Sequence, residues 1–548
     1  KPKFQGRPIR PCAASGGGKL QTDYLVVGAG SAGCAIANRL SADPGVTVTL
    51  LEAGSWDWNP WIHIPVGYFK TMNNPSVDWC YRTEPDPGLN GRRLEWPRGK
   101  VMGGSSSLNG LLYVRGQPQD YDRWAQMGFS GWSWDDVLPL FKRAENQERG
   151  ADDYHGAGGP LNVSDMRLSR AICDAWVTAA QAAGFPFNPD YNGAAQEGVG
   201  YFQLTTRKGR RCSAAVAYIH PIRKRPNLRI ITRAATRRVV IEDGRAVAVE
   251  YADRSGKTQR IEVKGEVILS AGAIGSPQIL MLSGVCEAAH LAEHGIPVAA
   301  DLPGVGQGLQ DHLQARLIYT CNEPTLNDEV RKLWQQARIA LKYAMFRAGP
   351  MSMAASLATG FMRTNDRVAT PDIQFHVQPW SADSPSQGVH PFSAFTMSVC
   401  QLRPESRGSI RLKSADPSVY PAIHPNYLAT ETDCQTIVDG VRIARRIAAE
   451  RPLSGKITGE MRPGPEVRDD AALLDWVRNS ATTIFHPTGT AAMGPVLDDR
   501  LRVKGIRGLR VADCSIMPEI ISGNTNAPAI MIGEKAADLL REDRRRGA

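Results

Sequence analysis

The stretch "YLVVGAGSAGCAIANRL", residues 24–40, decides the fold of this chain. Its first residues form an apolar run typical of a buried parallel strand, and its last ten residues suit a helix. Between them, Gly28, Gly30 and Gly33 form the pattern G-x-G-x-x-G. In this pattern the first glycine permits a tight turn, the second lets a pyrophosphate approach the backbone, and the third lets the helix pack closely on the strand. The stretch therefore predicts that a dinucleotide binds at the amino end of a helix.

A second predicted strand, "VTVTLL" at residues 46–51, supports this interpretation because it ends next to an acid. Glu52 lies 24 residues after Gly28, which is close to the spacing expected for a ligand of the ribose. A carboxylate at this position accepts hydrogen bonds from the ribose hydroxyls and repels a 2′-phosphate. NADP is therefore disfavoured, whereas NAD and FAD both remain open at this point.

The bulk composition is that of an ordinary globular protein, with 548 residues of which 42% are apolar and 22% charged. This length predicts two or three domains. The ten cysteines are scattered, without a C-x-x-C pair or a compact Cys/His cluster, so we expect neither a metal site nor a disulfide framework. The net charge is +10, but the basic residues do not gather with aromatic ones, which argues against a nucleic-acid partner.

No apolar run approaches the roughly 20 residues that a membrane helix needs. We therefore expect no transmembrane segment, although contact with a membrane surface remains open. Residues 1–19, "KPKFQGRPIRPCAASGGGK", hold five basic residues and no acidic one. This composition favours the remnant of a transit peptide, and hence a plastid (chloroplast) location. A flexible tail without function, on a cytoplasmic protein, is the alternative.

Four further glycine-rich or apolar segments combine predicted strands, turns and helices. Backbone N–H groups at Gly103, Gly104 and Ser105 are suited to line a phosphate or a flavin ring. The segments are "RGKVMGGSSSLNGLLYVRG" at 98–116, "EVILSAGAIGSPQILMLSG" at 266–284, "GLRVADCSIMP" at 508–518 and "GNTNAPAIMIGEKAADLL" at 523–540.

With "HPTGTAAMG" at 486–494, these motifs resemble in content and order those of the glucose–methanol–choline (GMC) oxidoreductases, a family of FAD enzymes that oxidise alcohols. The resemblance extends from about residue 23 to residue 540. It implies an α/β fold with a Rossmann-like FAD-binding domain and a substrate domain in which helices flank an antiparallel sheet. The implied FAD domain comprises 20–165, 205–312 and 487–548, and the implied substrate domain comprises 166–204 and 313–486.

The resemblance also implies which residues hold FAD, with Val239 near the adenine through its backbone. Leu108 occupies the position at which members with a covalent flavin carry histidine, so we expect FAD to be bound non-covalently. The implied FAD-binding residues are Gly28, Gly30, Ser31, Ala32, Gly33, Glu52, Ala53, Arg98, Val101, Gly103, Gly104, Ser105, Asn109, Gly110, Val239, Ala271, Asp513 and Asn526.

For catalysis the resemblance points to His486, in "TTIFHPTGT", and to Asn524 on the turn before the last helix. A neutral imidazole has a pKa near the operating pH, so it serves as a general base for the hydroxyl proton. The amide of Asn524 is suited to hold the substrate oxygen without competing for that proton. The hydride then passes to flavin N5, and O2 or another acceptor reoxidises the flavin.

A second branch of the resemblance leads to the algal fatty-acid photodecarboxylases, to which "KSADPSVYPAIHPNYL" is also similar. Those enzymes carry a cysteine and an arginine in the substrate domain. Alignment places Ser356 and His376 at these two positions. Without the arginine, a buried substrate carboxylate loses a charge-assisted partner. We therefore favour alcohol oxidation in the dark and expect a core or surface role for His376, with substrate contact as the alternative.

The substrate is less constrained than the reaction. The segment 345–362, "MFRAGPMSMAASLATGFM", holds four methionines, which could line an aliphatic channel for a medium- or long-chain primary alcohol such as a fatty alcohol. Ordinary core packing explains them equally well. No aromatic cage for choline is identifiable from the sequence. A photodecarboxylase, a choline-type dehydrogenase, a hydroxynitrile lyase and a flavin-loaded binding protein remain the alternatives.

Overall fold

A computed structural model of the chain describes residues 20–383 and 388–547. The proposed transit-peptide remnant at 1–19 lies outside the described residues. The fold is built around two seven-stranded sheets. This architecture confirms the predicted α/β class, with a Rossmann-like sheet and an antiparallel sheet flanked by helices.

The first sheet is centred on the strand Gln21–Val27, which pairs in parallel with strands on both sides. Its residues Leu25 and Val26 are fully buried, as expected for a parallel strand covered on both faces. The strands in spatial order are Leu228–Thr232, Val48–Glu52, Gln21–Val27, Thr258–Leu269, Arg245–Ala252 and Ala235–Glu242, with Leu509–Val511 paired to Thr258–Leu269.

Three helices begin beyond the carboxyl ends of these strands: Ser31–Leu40, Gly272–Leu282 and Asn526–Arg546. The first and the last pack against each other along the sheet. In open α/β sheets, ligands bind at this edge, where helix amino termini offer unpaired N–H groups. The fold thus brings the start of the chain and its last helix to one site.

The second sheet is antiparallel at every pairing. The helix Glu431–Ala449 packs on it, and the helix Ala171–Ala182 packs on both that helix and an edge strand. The strands in spatial order are Ile457–Arg462, Leu313–Cys321, Ala394–Gln401, Ile373–Gln378, Ala358–Met362 and Gly198–Tyr201, with Thr482–Thr483 paired to Leu313–Cys321.

All strands of the first sheet lie within 20–165, 205–312 and 487–548, and all strands of the second lie within 166–204 and 313–486. The division of the strands thus follows the division proposed from the sequence. The exact limits of the two domains stay a prediction. One buried apolar cluster contains residues of both sheets, so the two layers share a core.

Shorter elements complete the described chain. Among its helices, none is both long enough and apolar enough to span a membrane. The remaining helices are Pro60–His63, Tyr68–Thr71, Pro118–Gln126, Trp134–Ala144, Ala288–Glu293, Leu326–Glu329, Leu333–Phe346 and Asp470–Ser480. The remaining strands are Tyr81–Arg82, Glu95–Trp96, Glu145–Gln147, Leu161–Val163, Thr206–Arg207, Arg210–Arg211, Val285–Cys286, Ala300–Asp301, Gln307–Leu309, Gly408–Arg411 and Ala422–His424.

Candidate active site

A cavity of about 610 Å³ lies between the carboxyl edge of the first sheet and one face of the second. Its wall contains residues from the glycine turn at one end and residues of the strands Leu313–Cys321 and Ile373–Gln378 at the other. We refer to these two parts as the dinucleotide end and the substrate end. The following predicted residues line the cavity: Gly28, Gly30, Ser31, Ala32, Glu52, Ala53, Arg98, Gly104, Ser105, Asn109, Gly110, Ala271, His486, Asp513, Asn524 and Asn526.

The glycine turn has the geometry that a bound pyrophosphate requires. Gly28 has φ +97°, and a Cβ on it would lie 2.5 Å from the carbonyl oxygen of Ser270, so this position accepts no side chain. A Cβ on Gly30 would meet nothing closer than 3.7 Å, so its cavity side is open to an approaching phosphate. Gly33 is absent from the wall, and its role is close packing because a Cβ there would lie 2.0 Å from the Gly28 oxygen.

Glu52 is placed to hold a ribose. Its Oε2 accepts a hydrogen bond from the N–H of Ala29 at 2.9 Å, and its Oε1 accepts one from the N–H of Gly54 at 2.8 Å. Each carboxylate oxygen keeps acceptor capacity for a hydroxyl. Burial raises the pKa of Glu52 to about 7, against the lowering effect of the two N–H groups. Hydroxyl donors from a ribose would favour the charged form further.

The loop of residues 98–110 packs directly on the glycine turn. A Cβ on Gly104 would lie 2.7 Å from the Cα of Gly30, which shows how closely the two backbones approach. Two predicted residues of this loop, Val101 and Gly103, lie behind the wall rather than in it. Val101 is fully buried and forms an isolated bridge with Ser55, so both residues shape the loop from inside.

The last helix is joined to the glycine turn by a hydrogen bond that Ser31 Oγ donates to Asn526 Oδ1 at 2.7 Å. Asp513 fixes a neighbouring turn, because its Oδ2 accepts hydrogen bonds from the N–H of Gly272 at 2.9 Å and from Ser276 Oγ at 2.6 Å. Burial raises the pKa of Asp513. These contacts hold the amino ends of three helices around the cavity.

Like Gly33, Val101 and Gly103, the predicted cofactor residue Val239 lies outside the cavity wall. It is buried, and its N–H already donates to Ser283 Oγ at 2.8 Å, so its backbone contact to an adenine stays a prediction. On the same strand, Ala235 and Thr236 line the cavity. The strand has a register shift between Thr236 and Arg238, and Val239 follows it. A register shift in a strand re-aims the residues beyond it, which periodicity in the sequence does not reveal.

His486 and Asn524 meet as predicted, with Asn524 Nδ2 at 3.1 Å from His486 Nε2. The other ring nitrogen, Nδ1, lies 3.0 Å from Nδ1 of His312, whose Nε2 lies 3.0 Å from the carbonyl oxygen of Leu402. Because a carbonyl only accepts, the proton of His312 is on Nε2, and its Nδ1 is an acceptor. His486 therefore carries its proton on Nδ1 and presents the lone pair of Nε2 beside Asn524 and the cavity.

The imidazole rings of His486, His312 and His376 are all neutral near pH 7. Burial lowers the pKa of His486 well below its ordinary value, and positive charge at His312, His376 or Arg98 would lower it further. Burial lowers the pKa of His312 to about 4. A neutral His486 with a fixed tautomer is the state that a general base requires before it accepts a proton.

The backbone of His486 is clamped from two sides. Its N–H donates to Asp311 Oδ1 at 2.7 Å, while Asp311 Oδ2 accepts from Thr483 Oγ1 at 2.5 Å and from the hydroxyl of Tyr427. The preceding Phe485 has φ +72°, and Arg98 Nη2 donates to its carbonyl oxygen at 2.7 Å. The unusual backbone conformation next to His486 is thus held by surrounding contacts.

Asn524 is oriented through its own carbonyl. Gln374 Nε2 donates to Asn524 Oδ1 at 3.3 Å, which leaves the amide group of Asn524 directed at His486. Gln374 belongs to the strand Ile373–Gln378 of the second sheet and is fully buried. The second sheet therefore positions a residue of the last turn before the final helix.

Ser356 and His376, the two positions that distinguish photodecarboxylases, both line the substrate end. Ser356 Oγ accepts a hydrogen bond from Gln378 Nε2 at 3.3 Å, and the ring of His376 stacks on Phe202 with centroids 5.3 Å apart. Burial lowers the pKa of His376 to about 3. His376 is therefore neutral and provides no fixed positive charge for a carboxylate, but it lies in the cavity wall rather than in a purely structural position.

The idea of a methionine-lined channel is wrong for the segment 345–362. Only Ala355 and Ser356 of this segment belong to the cavity wall. Met345 is exposed on the surface, whereas Met353 and Met362 are buried elsewhere in the core. The segment thus gives no reason to expect a long aliphatic substrate.

Several residues in or next to the site were not predicted from the sequence. Asp311 and His312 lie next to each other in "QDH", a segment that was not assigned to the site. Gln374 and Arg316 belong to strands of the second sheet, and only strand pairing brings them to the cavity. The adjacent acid and histidine in "QDH" were the one local signal available.

Comparison with known proteins agrees with this geometry. Two sequence families, both described as GMC oxidoreductase, match residues 22–314 and 404–533. A mitochondrial choline dehydrogenase of Mus musculus is 42% identical over 98% of this chain and 92% of its own length. An alcohol dehydrogenase [acceptor] of Pseudomonas putida is 43% identical over 94% of this chain and 95% of its own length.

Among solved structures, a formate oxidase of Aspergillus oryzae, studied for its FAD modification, superposes with a TM-score of 0.89. The two chains are 26% identical, and the match covers 97% of this chain and 100% of the other. The likeness therefore extends over both sheets and the cavity between them.

Proposed function

The chain belongs to the GMC oxidoreductases, FAD-dependent enzymes that act on CH–OH groups, and we propose that it oxidises a primary alcohol to the aldehyde. The observation that carries this proposal is the fixed tautomer of His486. Its Nε2 lone pair lies beside Asn524 in the cavity wall, and no other described histidine combines these two properties.

In the proposed reaction His486 Nε2 takes the hydroxyl proton of the alcohol. The substrate hydroxyl replaces Asn524 as the donor to Nε2, and Asn524 Nδ2 then donates to the substrate oxygen. FAD, when bound, supplies the acceptor for the hydride that leaves the carbon. The alcohol thus loses one proton and one hydride, which leaves the carbonyl product.

His312 stabilises the protonated base. As His486 gains its second proton, the Nδ1–H bond to neutral His312 becomes a charge-assisted hydrogen bond, which is stronger than the neutral one. Gln374 keeps the Asn524 carbonyl turned away from His486, so the donor group remains aimed at the substrate oxygen. These contacts exist before substrate binds, which is the condition for electrostatic preorganisation.

The reoxidant is O2 or another acceptor, and the name of the Pseudomonas putida relative favours a separate acceptor. Choline is the rival substrate, since the mouse relative at 42% identity is a choline dehydrogenase.

The proposal is tested by flavin bleaching under anaerobic, dark conditions with short primary alcohols. We expect the oxidised-flavin band of the wild type to bleach, and the rate to fall about 100-fold or more in His486→Ala while FAD stays bound. His424→Ala, at an exposed histidine, is the matched control. Bleaching of the His486→Ala variant at the wild-type rate would overturn the proposal, and alkane formation only in light would replace it by photodecarboxylation.

A further inference from the structure

One face of the second sheet presents a row of polar side chains to the cavity. Strand pairing aligns Arg316 with Ser398 and His376 with the same Ser398, so Arg316 and His376 point to the same side of the sheet. Gln314 and Gln378 share this face and line the cavity with them. The substrate end is therefore polar along one wall, in a family fold where the other wall holds the cofactor.

Arg316 is charged but has no protein partner among the residues that the structure describes. Burial lowers the pKa of the Arg316 guanidinium to about 10, and no side-chain hydrogen bond contributes to this value. The nearby carboxylate of Asp383 instead pairs with Arg462 and His390. The guanidinium of Arg316 lies over the ring of Trp380, 5.9 Å from its centroid, and faces the cavity.

Two further donors in the same wall are buried without an acceptor in the described chain. They are the hydroxyl of Tyr68 and the indole N–H of Trp380. Buried polar groups in native proteins are nearly always paired, so a set of unpaired donors around one charged side chain indicates a ligand that accepts hydrogen bonds.

Carboxylates are missing from the substrate end of the described cavity wall. The wall contains Glu52 and Asp513, but both lie at the dinucleotide end, where backbone N–H groups occupy them. A quaternary ammonium would thus find no opposite charge at the substrate end, and it would face the positive charge of Arg316 instead.

We propose that the substrate is an alcohol that also carries a carboxylate, and that Arg316 binds this carboxylate with help from Tyr68 and Trp380. A planar guanidinium matches a carboxylate bidentately, and the low polarity around Arg316 strengthens the pair. This inference rests on the proposed alcohol oxidation. It gives this chain an anionic substrate, whereas choline, the substrate named for the mouse relative, is a cation.

The test compares kcat/KM of the flavin-loaded enzyme for ω-hydroxycarboxylates, for 1-alkanols of equal length and for choline. We expect the hydroxy acid to be preferred, and Arg316→Gln to lower its kcat/KM about 100-fold, mainly through KM. The same variant should change kcat/KM for the 1-alkanol by no more than about twofold, because no charge is paired there.

Arg462→Gln is the matched control, since Arg462 pairs with Asp383 and lies outside the cavity wall. Equal loss for hydroxy acid and 1-alkanol in Arg316→Gln, or a preference of the wild type for choline, overturns the inference. If 1-alkanols bleach the flavin but hydroxy acids are not preferred, only the carboxylate site fails. If no alcohol bleaches it, the proposed function fails as well.

A second inference comes from an independent feature, the helix Leu333–Phe346. Only Tyr343 of its 14 residues is buried, and the Tyr343 hydroxyl donates to the carbonyl oxygen of Gly209 at 3.0 Å. Leu333 is 82% exposed and Phe346 67% exposed. Trp334, Leu341 and Met345 are exposed as well, so the helix presents a large apolar surface.

The charges of this region have one sign. Residues 330–365 contain no Asp or Glu, and their basic residues are Arg331, Lys332, Arg338, Lys342, Arg347 and Arg363. At about 100° per residue, Leu333, Trp334, Leu341 and Met345 fall within an arc of about 120°. Arg338 and Lys342 follow at one border of this arc. Such a helix is typical of binding in the plane of an anionic membrane surface.

The helix also lies close to the cavity. The turn Pro350–Ser352 that follows it packs against Pro65–Gly67. The next residues, Tyr68 and Phe69, line the cavity wall. A surface bound at the helix would therefore be near the segment that contacts substrate.

We infer that this helix docks on an anionic lipid surface. Pairing of two copies through the same face is disfavoured, because a two-fold axis would oppose one set of basic residues with another. The contact would be peripheral, with the apolar arc at the boundary of headgroups and acyl chains.

Flotation with vesicles tests this inference on the flavin-loaded protein. We expect the wild type to bind vesicles of equimolar phosphatidylcholine and phosphatidylglycerol, and to lose binding in high salt. The double variant Trp334→Glu/Leu341→Glu should bind about tenfold less, with unchanged activity towards a soluble acceptor. Val298→Glu, at an exposed apolar residue of the other layer, is the control. The inference is overturned if the double variant binds vesicles as well as the wild type does. It is also overturned if the wild type is a dimer in solution and the double variant is a monomer.

Discussion

The two ends of the cavity are built in different ways. At the dinucleotide end, glycine turns and helix starts expose backbone N–H groups, and single carboxylates such as Glu52 are held by the backbone. At the substrate end, side chains of paired strands provide the chemistry, among them Arg316 and His376. The first end recognises a fixed cofactor through short segments of chain, whereas the second depends on which strands lie side by side.

Substitutions should therefore be tolerated to different degrees at the two ends of the cavity. At the dinucleotide end, some glycines pack so closely against other backbone atoms that they accept no side chain. A single added methyl group at such a glycine is therefore enough to disrupt the turn. Side chains at the substrate end are replaceable without loss of the fold, and their substitution should change rate, substrate preference or pH dependence instead.

Gly28→Ala should have the largest effect. The added Cβ would lie 2.5 Å from the Ser270 oxygen, at a backbone φ of +97° that alanine rarely adopts. We expect protein without flavin or no folded protein, measured by flavin absorbance after purification. Gly91→Ala is the control, because Gly91 also has a positive φ but no atom lies within 4 Å of its added Cβ. Full flavin content in Gly28→Ala would contradict the idea that backbone packing defines this end.

His312→Leu should abolish most of the rate without removing FAD. His486 Nδ1 then loses its acceptor, so the tautomer with a free Nε2 is no longer imposed. We expect the flavin reduction rate to fall about 100-fold, with little change in the KM for the alcohol and unchanged flavin content. An equal change in KM and kcat, or loss of flavin, would instead assign His312 a merely structural role.

The sequence predicted the dinucleotide end well because its determinants are contiguous. Gly28, Gly30 and Glu52 belong to one strand–helix–strand unit, and the fold brings all three to one cavity, where their contacts to FAD stay a prediction. His486 and Asn524 were found through family motifs, since they are separated by 38 residues and meet only in the fold.

The substrate end resisted prediction because strand register decides it. Arg316 comes to the cavity through its pairing with Ser398, and no local pattern in "LQARLIY" marks it as a binding residue. Strand register also decides the surroundings of Val239, since a register shift beyond Thr236 leaves it outside the cavity wall, and its contact to the adenine stays a prediction. The four methionines of 345–362 show that composition alone does not place side chains in a cavity.

The pH dependence of stability should differ between the wild type and His376→Phe. Burial lowers the pKa of folded His376 to about 3, below the roughly 6.5 of an unfolded chain. The unfolded state therefore binds more protons below pH 6.5, and stability falls as the pH falls from 7 to 5. At pH 5 this one histidine costs about 2 kcal/mol.

Phenylalanine retains the stacking on Phe202 and cannot be protonated. We expect the free energy of unfolding of His376→Phe to fall by about 2 kcal/mol less than that of the wild type between pH 7 and 5. Denaturant unfolding at the two pH values measures it. His424→Phe, at an exposed position, should show the wild-type difference. Identical pH dependence of all three proteins would show that His376 titrates normally in the folded state.

The smallest effect concerns Leu108, which lines the cavity and is buried at 5% exposure. Its alkyl side chain has no nucleophile, so the dinucleotide end should hold FAD without a covalent bond at this position. Acid precipitation of the wild type should therefore release all flavin into the supernatant, and Leu108→Val should behave the same with at most a small loss of affinity. Flavin that stays with the precipitated wild-type chain would show a covalent bond from another residue. The dinucleotide end would then also depend on one reactive side chain, and not mainly on its backbone.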